Sequence, residues 1–277
     1  MLAQDWQPLP DGSVGYATEF RGAGGTAIPA YLRKPKGRGK FPVVVLLHGA
    51  GASKEGTYGL GSRTTAPTGY FVAAGWAVYS IDFRSESSYK GAEWDDAVAA
   101  VAAVRRMDFI DGGRLALMGG SHGGHVMARI SSRVEARCAV LCSPAVIDPI
   151  EISRFIATGA PINPVLKSIV KNLEKEKGAS IERIAKDPAK YGYESPLTEA
   201  AKVRCPAVLF INGLHDTSSP IPVIEAYSKA LRASGHEVEM YTPETGPHGF
   251  YFGLPEFIPE TDEAARRAVA FIGKHFK

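Results

Sequence analysis

Apolar residues fall along this chain either in short unbroken runs or, between those runs, at every third or fourth position. Phe41-Pro-Val-Val-Val-Leu-Leu47 and Trp76-Ala-Val-Tyr-Ser-Ile-Asp82 are almost uninterrupted, as strands buried on both faces require. Residues 115–118, 137–142 and 206–211 predict three more strands, and residues 237–241 a last one. Ahead of them, residues 15–20 and 28–33 predict an antiparallel pair joined by the turn-rich Arg21-Gly-Ala-Gly-Gly25. Between Trp94 and Met107, the residues Ala97, Val98, Val101, Ala102 and Val104 recur at helical spacing. A short helix near Tyr70–Ala74 and an alanine-rich helix over Thr261–His275 complete the regular pattern. Strands alternating with helices predict an α/β protein: a mostly parallel, eight-stranded sheet with helices on both faces. Residues 145–202 interrupt the alternation. There Val165, Leu166, Ile169, Val170 and Leu173 form an amphipathic stripe bounded by Pro164 and Gly178. Because this stretch leaves the end of one strand and returns before the next, it is expected to be a helical lid insertion within a single domain spanning 1–277.

Composition narrows the classes without choosing among enzymes. The 277 residues are 45% hydrophobic and 22% charged, enough apolar material for a large core. The net charge is +3. Basic residues are scattered except for Arg33, Lys34, Lys36, Arg38 and Lys40, which no aromatic residue interleaves; a solvated connection is expected there, not a nucleic-acid surface. Cys138, Cys142 and Cys205 are odd in number and lack paired C-x-x-C spacing, so they are expected to pack as small hydrophobes. Met1-Leu-Ala-Gln-Asp-Trp6 has no basic segment leading into an apolar one, and no window reaches 18 uninterrupted apolar residues. The expectation is a cytoplasmic enzyme with neither membrane nor nucleic-acid partner.

The chemistry gathers around Gly119-Gly120-Ser121-His122-Gly123, which follows the strand Leu-Ala-Leu-Met and opens a helix-like segment. In that setting Gly-x-Ser-x-Gly is the signature of a nucleophile elbow, a reversal so sharp that glycines must stand where side chains would collide. The bland alternative is a glycine-rich turn with a solvated serine. A serine nucleophile needs a base to remove its proton and a carboxylate to orient that base. Asp216 lies in His215-Asp-Thr-Ser-Ser-Pro220, directly after one predicted strand, and His248 lies in Thr245-Gly-Pro-His-Gly-Phe250, after the last one. Both positions fall at the carboxyl edge where open α/β sheets bind ligands. His236 precedes a strand, His275 ends the terminal helix, and His125 is one turn beyond Ser121, so none competes well as the base. Asp148 is the rival acid, in the loop after Cys142 and Ser143. The oxyanion donors expected are the main-chain N–H groups of His122 and Ala50. The ring of His48 is expected to brace its loop, and the side chain of His122 has no role assigned.

Neither nucleotide nor metal is expected. Gly22-x-Gly24-x-x-Ala27 runs into Ile28-Pro29 where a phosphate-binding helix should start, and Gly51-Ala-Ser-Lys-Glu-Gly56 precedes Thr57, not the lysine of a phosphate loop. No His-x-x-x-His pair or acidic cluster suggests a metal, and no cofactor is expected.

With these residues in place, the chain resembles the α/β-hydrolase superfamily over nearly its whole length. That family's order of serine, acid and histidine implies the triad Ser121, Asp216 and His248. Trp94-Asp-Asp, Ile110-Asp-Gly-Gly-Arg-Leu-Ala-Leu-Met-Gly-Gly-Ser-His-Gly-Gly124 and Ser195-Pro-Leu-Thr-Glu-Ala-Ala-Lys-Val-Arg-Cys-Pro206 are similar to the catalytic domain of prolyl-oligopeptidase-type peptidases. Pro247-His-Gly-Phe250 is similar to dienelactone-hydrolase-like esterases, although their nucleophile is cysteine. His48-Gly-Ala-Gly-Ala-Ser-Lys-Glu55 is similar to bacterial carboxylesterases. Only some forty residues precede Phe41, whereas the peptidases usually carry a large N-terminal propeller. The function expected is therefore hydrolysis of a small carboxylic ester, short-chain or aryl, through an acyl-enzyme on Ser121. Phe155, Ile156, Tyr191 and Tyr193 from the lid, with Phe250 and Tyr251 beside the histidine, are the candidate pocket. The alternatives are a small serine peptidase or aminoacyl-ester hydrolase, for which Glu194 is the candidate to hold a free amine, and a non-catalytic ligand receptor on the same fold.

Overall fold

The computed structural model describes residues 6–50, 68–84, 91–252 and 258–277. Among these residues nine strands form one sheet: β1 (Gln7–Pro8), β2 (Val14–Arg21), β3 (Ala27–Lys34), β4 (Phe41–Leu47), β5 (Ala77–Ile81), β6 (Ile110–Gly120), β7 (Cys138–Cys142), β8 (Ala207–Ile211) and β9 (Glu237–Tyr241). Their order is β1-β2-β3-β5-β4-β6-β7-β8-β9. The first three and β5 pair antiparallel, and every pair from β5 to β9 across the order is parallel. All eight expected strands form. The ninth, β1, is two residues long and ends in proline, too short to leave any alternation in the sequence.

The described helices are α1 (Thr68–Ala73), α2 (Ala92–Arg105), α3 (His122–Ile130), α4 (Pro149–Ala157), α5 (Pro164–Lys177), α6 (Ile181–Lys186), α7 (Ile221–Ala233) and α8 (Ile258–His275). The sheet explains the unbroken apolar runs. Along β4, Val43, Val45 and Leu47 face one layer with Val101 of α2, Val126 of α3 and Ile224 of α7. Val44 and Leu46 face the other, with Phe71 of α1 and Ala268 and Ile272 of α8. Side chains alternate across a strand, so a strand covered on both faces must be apolar at every position, each such side chain contributing about 1.5–3 kcal/mol on burial. All three cysteines are free and buried within these layers. No helix among the described residues is long and apolar enough to cross a membrane.

Between β7 and β8 the chain builds α4, α5 and α6 over a core of their own, formed by Ile147, Ile152, Leu166, Ile169, Val170, Leu173, Ile181 and Ile184. Asn163 caps α5 by accepting from the Val165 N–H at 2.7 Å, and Gly178 closes it with φ of 65°. Val165, expected on the apolar stripe, is instead 55% exposed. As the second residue of the helix it faces outward while Leu166, Ile169, Val170 and Leu173 turn in.

The consequence for function lies in the strand order. From β4 the chain moves to β5 on one side and then to β6 on the other, so the carboxyl ends of β4 and β6 flank the crevice where the winding reverses. His48 follows the first of these ends and Ser121 the second.

Candidate active site

Ser121 stands between β6 and α3 with φ 52° and ψ −115°. Positive φ at a non-glycine residue costs on the order of 1–3 kcal/mol and persists only where its surroundings impose it. Here the Ser121 N–H donates to Cys142 O at 2.8 Å, and its carbonyl accepts from His125 N at 3.0 Å and Ala145 N at 3.1 Å. The glycines on either side are obligatory for packing. A Cβ on Gly119 would lie 2.3 Å from Gly123 O, and one on Gly123 would lie 2.5 Å from both Leu47 O and His48 O. The helix N-terminus is thereby pressed against the end of β4.

Asp216 and His248 arrive on the loops that follow β8 and β9. His248 Nδ1–H donates to Asp216 Oδ2 at 2.8 Å, and the Ser121 hydroxyl is 2.9 Å from His248 Nε2. Asp216 Oδ1 accepts from the N–H groups of Ser218 at 2.8 Å and Ser219 at 3.0 Å. The carboxylate is fully buried, while the imidazole keeps 30% exposure toward the site. The two loops that carry these groups meet backbone to backbone: a Cβ on Gly213 would sit 1.5 Å from Gly246 O. Leu214 N donates to Pro243 O at 2.9 Å across the same seam. Buried Asn212 steadies the acid loop, its Nδ2 donating to Gly213 O and Ser219 O. The sequence carried a signal for this seam in its paired glycines, but nothing local said that they touch.

Asp148, the rival acid, is occupied elsewhere. It caps α4 by accepting from Glu151 N at 2.8 Å and also takes the Ser195 hydroxyl. Two of the expected pocket residues are displaced. Phe250 and Tyr251 are 0% and 3% exposed and pack with Ala264, Ala268 and Phe271 beneath the sheet, because the short turn at Phe250–Phe252 directs both rings into the α8 layer. Phe155, Ile156, Tyr191 and Tyr193 border the core of the insertion. Of these, Tyr193 lines a cleft of about 560 Å³ between α2, α3 and α5, which His125 also lines. Glu194 lies on the same cleft with its carboxylate 3.2 Å from Arg129 Nη2, and Arg129 Nη1 also donates to its carbonyl. Ala50 is exposed at the last described position after β4, and Gly51 to Glu55 lie outside the described residues. His122 opens α3, where helix N–H groups have no partner within the helix itself.

A row of rings links these two segments. His48 stacks on Phe83 with centroids 4.7 Å apart, Phe83 meets His122 edge-on at 5.4 Å, and His122 is 6.5 Å from His125. His48 braces its loop as expected, with Nδ1 2.8 Å from Gly49 O and Nε2 3.2 Å from Asp82. Burial holds its pKa below the ordinary value. Burial also pushes His125 down to about 3, and this neutral ring donates from Nδ1 to Ala145 O at 2.9 Å. Glu93 and Phe83 belong to the same group, and neither was evident in the sequence.

A serine held out at a strained elbow over the crevice of a doubly covered parallel sheet defines a hydrolase of the α/β type. The model of the alpha/beta hydrolase family matches residues 44–270, and the chain belongs to that family. It is similar to dipeptidyl aminopeptidase BIII of Pseudoxanthomonas mexicana, 26% identical over 223 residues, which is 76% of this chain and 30% of that protein. It is also similar to quorum-quenching protein AidA of Acinetobacter baumannii, 33% identical over 109 residues, 36% of this chain and 34% of that one. Among solved structures, an acetyl xylan esterase from Paenibacillus sp. R4 superposes with a TM-score of 0.70 at 21% identity, covering 99% of this chain and 87% of the esterase. The chain spans about a third of the length of these two curated relatives.

Proposed function

We propose that the protein hydrolyses carboxylic esters of small acids or aryl alcohols through an acyl-enzyme on Ser121. The observation that carries this reading is the hydrogen-bonded row from Ser121 through His248 to Asp216, at 2.9 and 2.8 Å. His248 Nε2 takes the hydroxyl proton as Ser121 Oγ attacks the ester carbonyl, and Asp216 holds the ring in the tautomer that leaves Nε2 free to accept. The carbonyl oxygen becomes an oxyanion, which the main-chain N–H groups of His122 and Ala50 receive. The protonated imidazole then donates to the departing alkoxide. Water, deprotonated by the same ring, releases the acid and restores Ser121. The insertion over 145–202 acts as the lid that bounds the substrate, with Tyr193 as its pocket residue.

An aminopeptidase would hold a free substrate amine with an unspent carboxylate. Glu194, the lid's candidate, is already compensated by Arg129, which favours the ester. The test is hydrolysis of p-nitrophenyl esters from acetate to dodecanoate by the wild type and by Ser121→Ala. Turnover of short esters should fall at least about 10³-fold in the variant. Cleavage of aminoacyl-nitroanilides in place of esters would move the assignment to the peptidase, and no Ser121-dependent reaction with either would leave a receptor.

A further inference from the structure

Glu93 has no part in the row of Ser121, His248 and Asp216, yet it is a fully buried carboxyl group near His122, the residue that follows the serine. It sits in the first turn of α2, 0% exposed, with Oε1 3.9 Å from Nε2 of His122, itself 3% exposed. A carboxyl group is expensive to bury without polar neighbours, and more so when ionised. The ring it faces belongs to the residue whose main-chain N–H opens α3 directly after the nucleophile. That ring also makes a T-shaped contact with Phe83, which stacks on His48 in the loop that leads to Ala50. Glu93, His122, Phe83 and His48 thus join the two segments assigned as oxyanion donors.

We infer that Glu93 is a positioning residue for the oxyanion hole, holding the His122 ring and through it the first turn of α3. The proposal rests on the catalytic reading of Ser121. A hydrogen bond to the oxyanion counts only where the donor is already aimed at the place that oxygen will occupy, and a displacement of about 1 Å can cost on the order of 100-fold. His122 therefore acts with both its main chain and its side chain. The neighbouring Asp96, also 0% exposed, serves the scaffold instead. It takes Arg84 through two nitrogens and caps Ala23 N at 3.2 Å, tying α2 to the β2–β3 turn.

The experiment compares wild type, Glu93→Gln, Glu93→Asp and Phe83→Leu by ester kinetics and by the rate at which a fluorophosphonate labels Ser121. The phosphonyl oxygen enters the oxyanion hole whatever the natural substrate, so labelling reads the hole even if esters prove to be the wrong substrates. Glu93→Gln should lower kcat about tenfold with KM unchanged and slow labelling by a similar factor. Glu93→Asp, which keeps the carboxyl group, should recover part of both rates. Phe83→Leu should show the same pattern without touching the carboxyl group, and it carries the test should Glu93→Gln fail to fold. Unchanged labelling and kcat in folded Glu93→Gln or Phe83→Leu, or a loss confined to KM, would overturn the inference. Slow labelling of the variants in a protein that cleaves no ester would uphold the inference and remove the ester reading instead.

Discussion

Replacing Asp216 by asparagine changes one oxygen into an amide nitrogen, and the surroundings determine which one. Oδ1 receives two main-chain N–H groups, from Ser218 and Ser219, whereas Oδ2 receives the single Nδ1–H of His248. Turning the amide so that its NH₂ met the two main-chain donors would leave both of them unpaired in a buried loop, at about 1–3 kcal/mol each. The carbonyl therefore stays at the Oδ1 position and the NH₂ faces His248. Nδ1 must then accept, the ring proton moves to Nε2, and Nε2–H points at the Ser121 hydroxyl. In that tautomer the imidazole cannot take the serine proton. The expected loss in kcat is about 10⁴-fold, roughly 5.4 kcal/mol of transition-state stabilisation, with a thermal midpoint close to wild type because the hydrogen bonds to the loop survive. Asp148→Asn is the comparator. Asparagine caps a helix about as well as aspartate, so the cap of α4 through Glu151 N is kept and kcat should be unchanged. The assay is p-nitrophenyl acetate turnover at pH 7 beside thermal unfolding of each variant. Retention of more than a tenth of kcat by folded Asp216→Asn would refute the reasoning, as would an equal loss in folded Asp148→Asn.

Gly123→Ala places a Cβ 2.5 Å from two main-chain carbonyls at the end of β4, which cannot swing aside as a side chain would; a stability loss of about 3 kcal/mol is expected in urea unfolding, and wild-type stability with wild-type labelling of Ser121 would contradict it. The buried His125 also makes stability depend on pH. Its folded pKa, depressed to about 3, lies below the unfolded value of 6.5, so between those values the unfolded chain binds a proton that the folded chain excludes. This term is absent above pH 6.5 and destabilises the fold by about 1.4 kcal/mol per pH unit as pH falls toward 3. His125→Gln should flatten the unfolding free energy between pH 6.5 and 5 by that slope, and an unchanged slope would remove His125 as its source.

How much of this could be read from residues alone depended on whether the constraint was local. Val43 to Leu47 announced a central strand because both faces of β4 are covered, and every position had to be apolar. Gly119, Ser121 and Gly123 announced the elbow because the reversal is confined to five residues, and its steric demand falls on those positions. Asp216 and His248 were legible as candidates because each follows a strand whose end the alternation had already placed. Tertiary structure alone decided the contacts made across the chain. Phe250 and Tyr251 looked like pocket residues from their nearness to His248, but the packing of α8 under the sheet claims them for the core. Val165 matched the helical period yet lies outside the stripe, since which residues face inward depends on where α6 and the β7–β8 connection press against α5. Gly213 against Gly246, and Glu93 against His122, join residues 33 and 29 positions apart. A period of two or of 3.6 reports only which face of its own element a residue shares. It carries no information about which other element will lie against that face, and the arrangement of this site depends on those contacts.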